Sequence, residues 1–244
     1  MASFFMGVQS AVIAFFMGLI PILIWLAFWL SEDLKRPEPK KLIFLAFISG
    51  MAGVLLVLPF QQLASTFLDM GFPLILTWAA MEEVTKTFMG WLTVLRRKEL
   101  DEPVDFPIYL ITISLGFAAL ENAFFLFHPV TDGHFFESFI NGNLRFIGST
   151  LVHVLSSAMI GGALAFAYYR EWPEKLLYGS VGVILAIGLH ALFNFLIIST
   201  GSSGILTVFL GVWVGIIFLL LSFERIKNIH RPLWWEKVFM KEIN

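Results

Sequence analysis

The chain has 244 residues, 58% of them hydrophobic and only 14% charged, with a mean hydropathy of +0.84. Soluble domains carry about 25% charged residues, so this is the composition of an integral membrane protein. A net charge of −2 gives no case for nucleic-acid binding, and the absence of cysteine removes disulfides, thiolate metal sites and cysteine nucleophiles.

A helix crosses the ~30 Å hydrocarbon layer in about 20 apolar residues. Runs of that kind recur seven times, at 3–30, 42–60, 72–95, 107–127, 144–169, 176–199 and 205–223. The expected fold is all-α: one polytopic membrane bundle over 1–244, with about seven transmembrane helices and an amphipathic tail, 224–244, carrying Trp234 and Trp235 beside Lys237. The first run lacks the basic flank and cleavage site of a signal peptide and is too long for one, so it reads as a retained span. Pro21 is expected to kink it. Pro59 is expected to end the second span, leaving Gln61–Met70 as a short amphipathic segment.

Lys and Arg alternate between loops. Lys35, Arg36, Lys40 and Lys41 follow the first span, Arg96, Arg97 and Lys98 the third, Arg170 and Lys175 the fifth, and Arg225, Lys227, Arg231, Lys237 and Lys241 the seventh. The other three loops have none, and the remaining two basic residues, Lys86 and Arg145, fall within spans. Basic loops stay in the cytoplasm, so the N-terminus is expected outside and the C-terminus inside. The loop His128–Asn143 is then external, placed to dip into the interface or gate the bundle.

The third span breaks the apolar pattern with WAAMEEVTKTFMGW, which sets Glu82, Glu83 and Lys86 in mid-membrane. One charge there costs at least ~2.5 kcal/mol, so three in five residues mark a functional site or an interhelical lock. Glu82 and Lys86 share a helix face and can pair. The next three spans add Glu121 and Asn122, then Arg145 and His153, then His190 and Asn194. At 1.5 Å per residue, Glu82, Glu83, Glu121, His153 and His190 fall about 9–17 Å below the outer surface. Unpaired polar groups are costly in lipid, so the set is expected to face inward around a cavity. Small residues such as Gly116, Gly148 and Gly161 let the helices approach.

No GxSxG, HExxH or phosphate-loop motif is present. Paired carboxylates can split their protonation, one taking a proton from water while imidazole or amide groups donate to an oxyanion. That outlines amide hydrolysis. A proton- or ion-coupled transporter and a non-enzymatic membrane-protein binding module remain as alternatives.

EExxK at Glu82–Lys86, FxxxEN at Phe117–Asn122, His153 and HxxxN at His190–Asn194 together resemble the PrsW-type intramembrane proteases. That group is similar to the CAAX prenyl endopeptidases and bacterial Abi/CPBP proteins, which carry EExxxR and FxxxH instead. The resemblance implies a multi-pass peptidase of the cell membrane acting on a membrane-anchored protein, such as an anti-sigma factor, from the extracytoplasmic side. It implies Glu82 or Glu83 as the water-activating base, and His153, His190 and Asn194 as water or oxyanion ligands. Glu121 completes the site; Lys86, Asn122 and Arg145 support it. Metal-free glutamate chemistry is the favoured form, because paired glutamates beside a lysine suit proton sharing. Zinc held by Glu83, Glu121, His153 and His190 is the alternative.

Overall fold

A computed structural model describes residues 2–33, 36–134, 146–230 and 232, and these are helical throughout apart from short connections. The helices are α1 Ala2–Ser31, α2 Lys40–Phe67, α3 Phe72–Thr93, α4 Asp105–Thr131, α5 Leu151–Phe166 (led in by a π-helical turn, Phe146–Thr150) and α6 Trp172–Lys227.

Although α6 is helical over 56 residues, it cannot be straight. Gly182 lies against Ile160 and Ala163 of α5, and Ile226 lies against neighbouring Gly162. On a straight helix, residues 182 and 226 would stand about 66 Å apart. The chain therefore doubles back between Phe193 and Phe209, which both lie against Gly148, and each arm, Trp172–Thr200 and Leu206–Lys227, is long and apolar enough to cross a membrane. With α1, α2, α4 and α5 this makes six such segments among the described residues. Helix α3, whose 22 residues span about 33 Å and carry Glu82, Glu83 and Lys86, is not among these six.

Helix α4 is the axis of the bundle. It is apolar on every face from Ile108 to Ala119 and buried along most of its length, as a helix without a polar stripe must be. It packs against α1, α2, α3 and α5. The α2–α4 crossing is a backbone contact: Gly50 takes the carbonyl of Ile113, and Gly116 takes that of Phe47. No larger residue allows that approach. Trp25 and Trp29 of α1 close on Trp213 and Phe223 of the second α6 arm, and Phe72 of α3 meets Phe195 of the first.

Two boundaries differ from expectation in ways that shape the site. Pro59 does not end α2, which continues to Phe67. A proline forfeits one backbone hydrogen bond, and in a bundle neighbouring groups absorb that loss. Pro21 likewise lies inside α1. Helix α4 runs on through Pro129 to Thr131, which puts Glu121 deeper than the sequence count placed it. The tail Trp234–Ile243, Arg145 and most of the His128–Asn143 loop lie outside the described residues.

Candidate active site

Glu82 stands ten residues after Phe72, Glu121 ten before Thr131, and His190 ten before Thr200. Their side chains share one layer of the bundle, His190 Nε2 standing 3.6 Å from Glu82 and all three lining one cavity. His153, early in α5, completes the layer, its ring 4.8 Å from that of His190.

Adjacent glutamates on α3 point to different surroundings. Glu83 is fully buried, and its Oε1 accepts from Lys86 Nζ at 2.6 Å, His190 Nδ1 at 2.7 Å and Ser156 Oγ at 2.9 Å. It is the hub of the site and does not line the cavity described below, and its Oε2 is buried without a hydrogen-bond partner among the described residues. Glu82 has one oxygen, Oε1, held by the Gln61 amide at 2.8 Å. Its other oxygen, Oε2, is buried without a hydrogen-bond partner, 3.6 Å from His190 Nε2.

Donor and acceptor identities settle both imidazoles. An ammonium only donates, so Lys86 Nζ at 3.1 Å makes His153 Nδ1 an acceptor. The proton of His153 is then on Nε2 and is donated to Glu121 Oε2 at 2.8 Å. His190 donates from Nδ1 to the ion-paired Glu83, which aims its Nε2 at Glu82. Lys86 also lies 5.4 Å from the Phe117 ring.

Glu82, Glu121, His190 and Asn194 line one cavity of about 670 Å³, together with Gln61, Gln62, Ser65 and an apolar wall that includes Val54, Phe117, Phe124 and Ile197. Asn194, one turn beyond His190, has no hydrogen-bond partner among the described residues. Asn122 is turned elsewhere, donating to Thr150 Oγ1 at 3.3 Å. The structure thus brings together Glu82, Glu83, Lys86, Glu121, His153 and His190. Glu82–Lys86, the pairing expected from spacing, is replaced by Glu83–Lys86.

Two contributors were not recognised from sequence. Gln61 was placed outside the span that Pro59 was expected to end, and it proves to hold Glu82 while its carbonyl accepts from Trp78 Nε1 at 3.1 Å. A polar Gln-Gln pair following an apolar run was the available signal. Ser156, which donates to Glu83, lies three residues after His153 and so on the same helix face, which is its one signal in the sequence.

Residues 38–222 match the model of a family described as "PrsW family intramembrane metalloprotease". The chain belongs to the PrsW family. Among curated relatives it is 28% identical over 190 residues to Protease PrsW of Oceanobacillus iheyensis, covering 74% of this chain and 80% of that one. It is 26% identical over 191 residues to Protease PrsW of Geobacillus kaustophilus, covering 75% and 78%. Against Protease PrsW of Bacillus subtilis the identity is 25% over 191 residues, covering 74% and 80%. No solved structure matches the chain. The chain is accordingly a multi-pass membrane protein and a peptidase.

The family description names a metal, and the donors can be tested for one. Glu82, His153 and His190 each offer an atom, and these atoms lie within 4.8 Å of one another. Glu82 Oε2 has no partner, and His190 Nε2 is presented by a carboxylate on its Nδ1, as metal-binding imidazoles are. His153 is the donor already engaged on both nitrogens. Glu82 and His190 fit zinc as they stand, and His153 joins them only by giving up its bond to Lys86 or to Glu121. This trio differs from the ligands expected from sequence: Glu83 and Glu121 hold the two imidazoles instead of joining them.

Proposed function

We propose that the chain cleaves a peptide bond of a membrane-anchored protein at the Glu82–His190 edge of the cavity. Glu82 takes the proton of the attacking water. The supporting observation is its place on the cavity wall, which Glu83 does not share, with Oε1 fixed by Gln61 and Oε2 without a partner among the described residues. Glu83 plays a different part: held by Lys86, Ser156 and His190, it orients the imidazole and carries the counter-charge. The Asn194 amide is placed to donate to the oxyanion, and His190 joins it from Nε2 in its doubly protonated form, Nδ1–H staying on Glu83. Glu82, now protonated, passes that proton to the departing amine, with Glu121 the second carboxylate beside it on the wall.

Zinc, held by Glu82, His190 and His153, would supply Lewis-acid polarisation of the scissile carbonyl. The mixed cavity wall suits a substrate segment that is anchored in the bilayer and locally unwound, its freed amides meeting Gln61, Gln62 and Ser65. An anti-sigma factor with one membrane span is a substrate of that kind, cut on the side where the site lies closer to the surface.

The test is cleavage of a single-span reporter in proteoliposomes. Glu82→Gln should lower kcat by about 10²–10⁴-fold with the fold intact. Wild-type turnover by Glu82→Gln would remove it as the base. A chelator arm with zinc re-addition assigns the catalytic type: loss and recovery on zinc shows the metal form, and unchanged turnover shows glutamate chemistry alone.

A further inference from the structure

On the face that carries the basic loops, a second group of carboxylates stands apart from the active site. Asp33 follows the end of α1, Glu38 lies in the connection to α2, and Asp105 opens α4. One oxygen from each lies within 4.8 Å of the other two. Asp105 is buried, and its Oδ2 accepts the backbone N–H groups of Asp101 at 2.8 Å and Glu102 at 2.7 Å, so the preceding loop wraps around it. Glu38 accepts the Tyr109 hydroxyl.

Asp33 has no such support. It is 6% exposed, and its Oδ2 is buried with no hydrogen-bond partner among the described residues. Among the described residues, Arg36 pairs with Glu102 at 2.6 Å, and Lys227 with Glu32 at 2.7 Å and Glu224 at 2.9 Å. Three carboxylates converging out of water need a counter-charge or protons between them.

We infer that Asp33, Glu38 and Asp105 form a binding site for a hard divalent cation of the calcium or magnesium class, which ties the end of α1 to the start of α4. The donors are all oxygen, with no imidazole or thiolate, which favours such ions over zinc. Oxygens about 2.4 Å from one ion stand up to about 4.8 Å apart, so the observed spacing accepts an ion without moving either helix. The unpartnered Asp33 oxygen is the vacant ligand position, and the loop N–H groups on Asp105 fix a second ligand in place.

The test uses the full chain in lipid nanodiscs, stripped with EDTA and titrated with Mn²⁺ by electron paramagnetic resonance. One Mn²⁺ should bind per chain, be displaced by Ca²⁺ or Mg²⁺, and raise the melting temperature. Asp33→Asn should weaken that binding at least about tenfold, while His190→Ala keeps it. Without added ion, Asp33→Asn should melt no lower than wild type, because a repelling carboxylate is gone. If Asp33→Asn does not fold, Glu38→Gln is used; its amide oxygen still accepts from Tyr109. Absence of saturable Mn²⁺ binding, binding unaffected by these variants, or binding abolished by His190→Ala would overturn the inference.

Discussion

Glu82 and Glu83 are neighbours in sequence with opposite situations, and that contrast is open to measurement. Glu83 and Lys86 form a buried ion pair at 2.6 Å. Removing one partner of such a pair costs about 3–5 kcal/mol, because it strands the other charge. Lys86→Met should therefore lower stability by about that amount, and Glu83→Gln/Lys86→Met should recover most of it while cleavage stays lost. Thermal melts beside a cleavage assay separate the two effects. Gln61→Leu should keep the fold and slow turnover by about 10–100-fold with KM little changed, the size of effect seen when a group that orients a catalytic residue is removed. Steady-state kinetics give that split directly.

Asp33 makes the prediction for pH. Its folded-state value, about 7, lies above the ordinary 3.8, so the folded chain holds a proton that the unfolded chain has released between those limits. Stability from this group is complete below about pH 4 and declines as pH rises towards 7. Glu38, Glu102 and Asp101 raise the value and Lys227 opposes them. Melts of the EDTA-stripped protein between pH 4.5 and 7.5 should show the decline, and Asp33→Asn should flatten it.

At the scale of elements, the site depends on how closely α2 meets α4. The Gly50–Gly116 crossing aligns α2 so that its last turns carry Gln61 to Glu82. Gly116→Val should cost about 1–3 kcal/mol by overpacking and depress cleavage further than that loss of stability accounts for, because it levers Gln61 away. The helices themselves were legible because hydrophobic length reports directly on bilayer thickness. Pro59 misled because proline was weighed as it acts in an isolated helix, whereas packed neighbours sustain α2 through it. Partner choice was legible only in part. Spacing puts both Glu82 and Glu83 within reach of Lys86, and which one pairs depends on the rotation of α3 against α5, a tertiary fact. The depth of Glu121 was underestimated for a related reason, since apolar composition fades at Phe127 while the α4 backbone continues four residues more.

For the whole molecule, the order EExxK, FxxxEN, His153, HxxxN proved informative because each motif sits on a separate helix at matching depth, so convergence follows from topology. The carboxylates at the opposite face were invisible for the converse reason: acidic residues in loops are ordinary, and only folding buries Asp33 and Asp105. The orientation expected from the basic loops can be checked simply, as the chain has no cysteine. Lys98→Cys and Asp132→Cys flank α4 at opposite ends. In right-side-out vesicles an impermeant maleimide should label Asp132→Cys and spare Lys98→Cys.

The decisive measurement is the set of membrane-protein fragments, identified by their new N-termini, in cells making wild type or Glu82→Gln at equal abundance. Wild type should generate fragments cut within or beside a membrane span, and these should vanish with Glu82→Gln. The same fragments at undiminished level in the Glu82→Gln cells would contradict hydrolysis at the Glu82–His190 edge.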